Sequence, residues 1–117
     1  MLAVNTMAMS TVERIDAFFD QQAKRGHVRL LDHVSGTVEF DVEGAGRRWI
    51  TINRGDLIVS DDSGPADCIL TCNTDTFIRI ISGEQNLVAA AIRGSVSVAG
   101  NLALGLSIQR AVSDGDG

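Results

Sequence analysis

The sequence predicts a single α+β domain, and three observations carry that prediction. Apolar residues recur at helical spacing between Val12 and Ala23, switch to a period of two between Val38 and Cys72, and return to helical spacing from Phe77 onward. One backbone conformation cannot satisfy both periods, so helix and strand must occupy separate blocks of the chain. At 117 residues, the chain fits one compact domain that buries about two-thirds of its unfolded surface and needs no staples.

The first element is a helix. Ser10 and Glu13 form the pattern of a capping box, and Val12, Ile15, Phe18, Phe19 and Ala23 follow as an apolar stripe that runs to Gly26. A first strand comes next, where Val38, Phe40 and Val42 alternate with Thr37, Glu39 and Asp41. Gly44-Ala45-Gly46 permits a reversal into a second strand carrying Ile50 and Ile52. Asn53-Arg54-Gly55-Asp56 is a second tight connection into the segment Leu57 to Ser60, and Asp61 to Pro65 turns the chain toward a fourth strand ending at Cys72. The expected centre is a meander of four short antiparallel strands.

Helices resume after Asn73, a good cap, with Phe77, Ile80 and Ile81 on one stripe until Gly83. A second helix is expected from Glu84 to Gly94, placing Leu87, Val88, Ala91 and Ile92 together. Ser95 to Ala99 alternates like a short strand, and Asn101 can cap a last helix. Leu102, Leu104, Leu106 and Ile108 also alternate as a strand would, and the Gly-Asn start and the length decide for helix. Leu102 and Leu106 then lie nearly opposite Leu104 and Ile108, so both faces need cover. The domain is expected over 10–112, between a flexible leader, 1–9, and a flexible tail, 113–117.

Composition narrows the function. The stretch from Thr74 to Gln109 is dense in apolar residues and holds no His, Cys, Lys or Tyr, which favours enclosing an apolar ligand over catalysing a reaction. A net charge of −5 works against nucleic acid and anionic surfaces as partners. The basic pairs Lys24-Arg25 and Arg47-Arg48 read as solvated surface. The longest apolar run, Leu87 to Ile92, is far short of the roughly 20 residues of a membrane span, and the first residues lack the form of a secretion signal. A cytoplasmic location is the expectation. Cys68 and Cys72 would stand about 13 Å apart on a strand, beyond disulfide reach, and read as reduced core thiols with no metal role.

Patterns that mimic catalytic signatures fail on chemistry. Gly100 to Ser107 has the glycine spacing of a phosphate-binding loop, but Leu106 occupies the position of its lysine. Gly44-Ala45-Gly46 lacks the third glycine of a dinucleotide fingerprint, and Gln109 stands where a nucleophile elbow needs glycine. Glu39 and Asp41 share a strand face about 6.6 Å apart, on the wet side, where carboxylates keep ordinary behaviour. His27 and His33, with Asp32 between them, have no nucleophile spaced to join them and read as surface histidines. No catalytic residue, metal ligand or cofactor is expected. Trp49 and Ile69 fall out of phase with the inward sets of their strands. Two readings stay open for them: anchors of a homodimer, or scattered exposed hydrophobes.

From Gly36 to about Ile108 the chain resembles the sterol carrier protein type 2 domain. The resemblance rests on the strand Val38 to Val42, the tryptophan-bearing RRWITI, and the Pro65-Ala66-Asp67 phrase before an alternating strand. It continues through a helix ending at Gly83, an alanine-rich helix closed by Gly94, then strand, Gly100 and a terminal helix. It implies a five-stranded, largely antiparallel sheet with helices on one face and a hydrophobic tunnel between the layers. It also implies non-catalytic binding or transfer of sterols, fatty acids or acyl-CoA esters, or service as an accessory module to an enzyme. On that basis the residues expected to line the tunnel are Phe77, Ile80, Ile81, Leu87, Ala91, Leu102 and Leu106. An empty, rigid tunnel of about 400 Å³ would cost roughly 10 kcal/mol, comparable with the whole stability of a domain. The helices are therefore expected either to collapse inward or to close on a lipid.

Overall fold

The computed structural model of the chain describes residues 10–114, so the expected leader and the last residues of the expected tail lie outside the described residues. Helix α1 (Thr11–Arg25) opens with the capping box in full: Glu13 N–H donates to Ser10 Oγ, and Ser10 N–H donates back to Glu13 Oε1. Its stripe of Ile15, Phe18 and Phe19 is buried. A 3-10 turn (Arg29–Leu31) follows, then strands β1 (Ser35–Glu43), β2 (Gly46–Asn53), β3 (Asp56–Ser60) and β4 (Cys68–Asn73). The chain continues as α2 (Thr74–Ile81), α3 (Leu87–Arg93), β5 (Ser97–Gly100) and α4 (Leu102–Asp114).

The five strands form one sheet in the order β3-β2-β1-β4-β5. β1, β2 and β3 are the expected antiparallel meander, and the β2–β3 turn sets Arg54 and Gly55 at φ 48° and 92°. Two successive positive φ values give the turn twist that matches paired strands, and Gly55 takes its share without a Cβ penalty.

The fourth strand departs from expectation, because β4 lies parallel to β1 on the edge away from β2. Ser60 pairs with Trp49, Trp49 with Glu39, and Glu39 with Ile69, so β3 ends on the same row where β4 begins. The connection therefore crosses about 14 Å sideways and needs no return along the strand, which residues 61–67 span without a crossover helix.

Val38, Phe40, Val42, Ile50, Ile52, Leu57, Cys68, Leu70 and Cys72 point to one sheet face and are buried there with α1, α2 and α4. Four rings meet in this core. Phe77 lies 5.6 Å from Phe18, 5.7 Å from Phe19 and 5.9 Å from Phe40, centroid to centroid. The free edge of β3 is covered at its start, where Val28 N–H donates to Gly55 O and Leu57 N–H donates to Gly26 O.

One arginine of each basic pair departs from solvated surface. Arg48 reaches Asp16 on α1 and lies over the Phe19 ring at 5.8 Å, while Arg25 donates to Gln22 Oε1 and to the carbonyl of Ala111. Each uses its planar, multidonor head to fasten a helix to the rest of the fold. Arg47, by contrast, stays exposed between Glu39 and Asp41.

Trp49 lies on the sheet face away from the helices, as its phase requires, yet it is only 5% exposed. The expected exposed anchor is thus buried within the chain, with its indole N–H lacking a hydrogen-bond partner among the described residues. Ile69, two strands away in the same row, is half-buried.

Candidate ligand-binding site

Between the sheet and the helices lies an apolar cavity, and each wall follows from local phase. β1 and β4 supply Phe40, Leu70 and Cys72 from their inward positions. α2, capped by Asn73 through Thr76 N–H, presents Phe77, Ile80 and Ile81 at the i, i+3, i+4 spacing of one helical face. α1 adds Phe18, α3 adds Leu87, and Val96 closes the side toward β5. α4, held at its start by Leu104 N–H donating to Asn101 Oδ1, contributes Gly105, Ile108, Gln109 and Val112.

Two of these residues give the cavity its particular shape. Gly105 leaves a notch, since a Cβ there would meet Cys68 Sγ at 3.4 Å, Leu87 Cδ2 at 3.5 Å and Leu70 Cδ2 at 3.6 Å. Gln109 is the one amide in the wall, and its Oε1 accepts a hydrogen bond from Leu87 N–H at 3.2 Å, tying α3 to α4.

The lining carries few reactive groups. Burial, with the nearby Asp41 charge adding to it, pushes the Cys72 thiol up to about 11, so the thiolate that would act as a nucleophile is scarce at neutral pH. Cys68 is shifted the same way, by burial. Among the described residues, no His, Lys, Asp or Glu lines the cavity. Among the described residues, no group of three or more His, Cys, Asp or Glu is placed to hold a metal ion.

The free space is small. The walls enclose about 460 Å³ when the open mouth is counted, but only about 30 Å³ will admit a body the size of water. A void of that size costs less than about 1 kcal/mol, so the helices close on the sheet at little penalty.

Comparison with known proteins places this architecture. A profile of the SCP-2 sterol transfer family matches residues 15–113, from the first helix to the last. The chain belongs to the SCP-2 sterol transfer family. No curated protein matches the chain significantly in sequence. Among solved structures, the sterol carrier protein domain 2 of Helicoverpa armigera superposes with a TM-score of 0.64 at 20% identity, covering 89% of each chain.

The sec-alkylsulfatase Pisa1 from Pseudomonas sp. superposes with a TM-score of 0.67 at 21% identity, covering 81% of this chain and 15% of the sulfatase. The chain therefore matches only a small part of that enzyme's length. A ubiquinone synthesis protein, UbiJ-SCP2, superposes at 0.57 and 16% identity, covering 79% of this chain and 75% of its own. At these identities the likeness is one of fold. No helix among the described residues is long and apolar enough to cross a membrane.

Within this SCP-2 domain, four of the expected lining residues come together around the cavity: Phe77, Ile80, Ile81 and Leu87. The other three fall elsewhere. Ala91 is half-buried away from the wall, Leu102 is 39% exposed at the start of α4, and Leu106 is half-buried against the core. The cavity-facing stripe of α4 is centred between Gly105, Ile108, Gln109 and Val112, and Leu104 and Leu106 project about 100° to either side of it. A glycine and a glutamine on that stripe hid it behind the louder leucines. Phe18, Phe40, Leu70 and Cys72 were legible by parity, as the inward positions of α1, β1 and β4.

Proposed function

We propose that this chain binds and carries an apolar, chain-bearing molecule, such as a fatty acid, acyl-CoA or sterol, in the cavity between sheet and helices, and performs no chemistry on it. The observation that carries the reading is the wall itself: rings and aliphatic side chains from six elements converge on one space, with Gln109 and the protonated Cys72 thiol as its polar members. Such a wall acts by desolvation and shape. Family membership supports the same reading.

Ligand pockets commonly run from about 300 to 1,000 Å³, so a lipid would enter only as the helices move outward. Ligand binding would then stabilise the fold by mass action. Native mass spectrometry of protein taken directly from cells tests this. A lipid-sized adduct that leaves on unfolding is the expected result. A clean polypeptide mass, with a melting temperature unchanged across a lipid panel, would count decisively against it.

The likeness to a small part of an alkylsulfatase and to a ubiquinone synthesis protein supports a second reading, an accessory module acting beside an enzyme. In that reading a homodimer would have to rest on Ile69 and its exposed neighbours, because Trp49 has little surface left to offer. Light scattering of the purified chain, together with a negative lipid screen, separates the two.

A further inference from the structure

An open groove lies between the end of α2 and one side of α3. It has about 350 Å³ of free space and mostly polar walls, formed by Arg79, Glu84, Gln85, Asn86, Ala89 and Arg93. None of these residues lines the apolar cavity. What the groove can hold is therefore set by its own donors.

Its two arginines come from different helices. Arg79, in the last turn of α2, has a side chain that is 57% exposed, and its ionic partner is Asp75 one turn earlier, itself 79% exposed. An exposed pair of that spacing is weak and yields readily to a better-placed anion. Arg93, in the last turn of α3, is exposed and makes no ion pair among the described residues. Asn86 Oδ1 is committed to the α3 cap, accepting Val88 N–H at 2.8 Å and Ala89 N–H at 3.3 Å, which leaves its amide N–H groups as donors. Glu84 is the acidic residue of the lining, and its Oε2 is engaged, accepting from Ser82 Oγ at 3.1 Å. The backbone beneath is pinned, because the Arg79 carbonyl accepts Glu84 N–H at 2.9 Å and Gln85 N–H at 3.0 Å.

The shape of the donor set selects among anions. A carboxylate presents its two oxygens along one edge, whereas a phosphate monoester presents three around a tetrahedron and carries about −1.5 to −2 charge at neutral pH. Guanidinium groups reaching in from two helices favour the phosphate. α2 and α3 are also walls of the cavity, through Phe77, Ile80 and Ile81 on one and Leu87 on the other.

We propose that the α2–α3 groove binds a phosphate monoester between Arg79 and Arg93, with Asn86 as a neutral donor, and that an anion held there restrains the two helices from opening the cavity. The site stands on the groove alone, and the restraint rests on the carrier reading above. An anion that bridges both helices binds best at their closed spacing, whereas a chain in the cavity needs them apart, so the two ligands oppose one another.

The test titrates the full chain at low salt with glycerol 3-phosphate, with acetate, and with phosphatidylcholine vesicles with and without phosphatidic acid. Saturable binding of glycerol 3-phosphate, stronger than that of acetate, is expected, and Arg79→Gln and Arg93→Gln should each weaken it about threefold to fivefold, the range of an exposed ion pair. Binding confined to the vesicles with phosphatidic acid, and weakened by the same variants, supports the site with a lipid as the source of the phosphate. No binding of either phosphate probe, binding indifferent to both variants, or acetate bound equally well overturns the site. Hexadecanol, an uncharged chain, then reads the restraint: saturating glycerol 3-phosphate should lower its affinity about fivefold, at the low end of measured couplings, and hexadecanol should lower glycerol 3-phosphate affinity by the same factor. Unchanged hexadecanol affinity overturns the restraint while the site stands. Failure of hexadecanol to bind overturns the restraint together with the carrier reading, and the phosphate titration still decides the site.

Discussion

Asp67 and Thr37 are joined twice: Asp67 N–H donates to the Thr37 carbonyl, and Thr37 N–H donates to Asp67 Oδ2, both at 2.8 Å. The Asp67 carbonyl in turn accepts Asn101 N–H, also at 2.8 Å. One residue therefore fixes the start of the parallel β1–β4 pairing and the point where β5 hands over to α4. Gly100 is forced by the same junction, since a Cβ there would lie 2.3 Å from the Asp67 carbonyl oxygen.

Asp67→Ala leaves the Thr37 N–H without its carboxylate acceptor. The expected loss is about 1.5–3 kcal/mol, typical of a hydrogen bond to a charged group. Asp67→Asn keeps an acceptor oxygen and should lose less. Urea denaturation of the two variants checks the order, and an Asn variant as unstable as the Ala variant would show that the carboxylate acts by charge instead.

Phe77 touches the rings of Phe18, Phe19 and Phe40, which arrive from α1 and β1. Truncation to alanine should cost about 3–5 kcal/mol, a large share of the 5–15 kcal/mol that holds a domain together. Phe77→Leu keeps most of the volume and should remain folded. The pair of denaturation midpoints is the measurement. A loss under about 1 kcal/mol for Phe77→Ala would mean that the neighbouring rings collapse to fill the space.

This ring cluster also marks what could be read in advance. Phe18, Phe19, Phe40 and Phe77 each sit on the expected inward phase of their element, so periodicity alone located the core. The parallel placement of β4 was not legible, because both the parallel and the antiparallel pairing bury Cys68, Leu70 and Cys72. The deciding fact, the matching rows of Ser60 and Ile69, exists only once β1 and β2 are paired. The site was half legible for a similar reason. α2 announces its cavity face through Phe77, Ile80 and Ile81, whereas α4 presents Gly105 and Gln109, which no hydrophobicity pattern selects.

His27 joins three segments, with Nδ1 2.7 Å from Asp56 Oδ1 and Nε2 2.5 Å from Asp32 Oδ1. The Asp56 and Asp32 carboxylates raise its pKa above the ordinary 6.5, since both favour the charged ring. A raised folded value means that the stabilisation is complete below 6.5 and is lost as pH rises through the folded pKa. Denaturation midpoints should therefore decline on the alkaline side of 6.5 in the native chain. His27→Asn should flatten that decline. An equal decline in the variant would assign the pH dependence to other groups.

Gly105 offers the sharpest separation of stability from binding. Within α4, glycine costs about 1 kcal/mol relative to alanine, and the nearest atoms to a new methyl lie at 3.4, 3.5 and 3.6 Å, ordinary or slightly tight contacts. Gly105→Ala should therefore raise stability by about 0.5–1 kcal/mol, slightly less than the full helix gain because Cys68 Sγ must yield a little. The same methyl occupies the notch of the cavity. Gly105→Leu goes further and fills it, at a cost of about 1–3 kcal/mol in overpacking. If the notch is where a ligand chain seats, Ala should bind more weakly and Leu hardly at all, although Ala is the more stable protein. Thermal melts paired with lipid titrations on the three forms decide it. Binding that follows stability across the series would place the chain of the ligand elsewhere in the cavity.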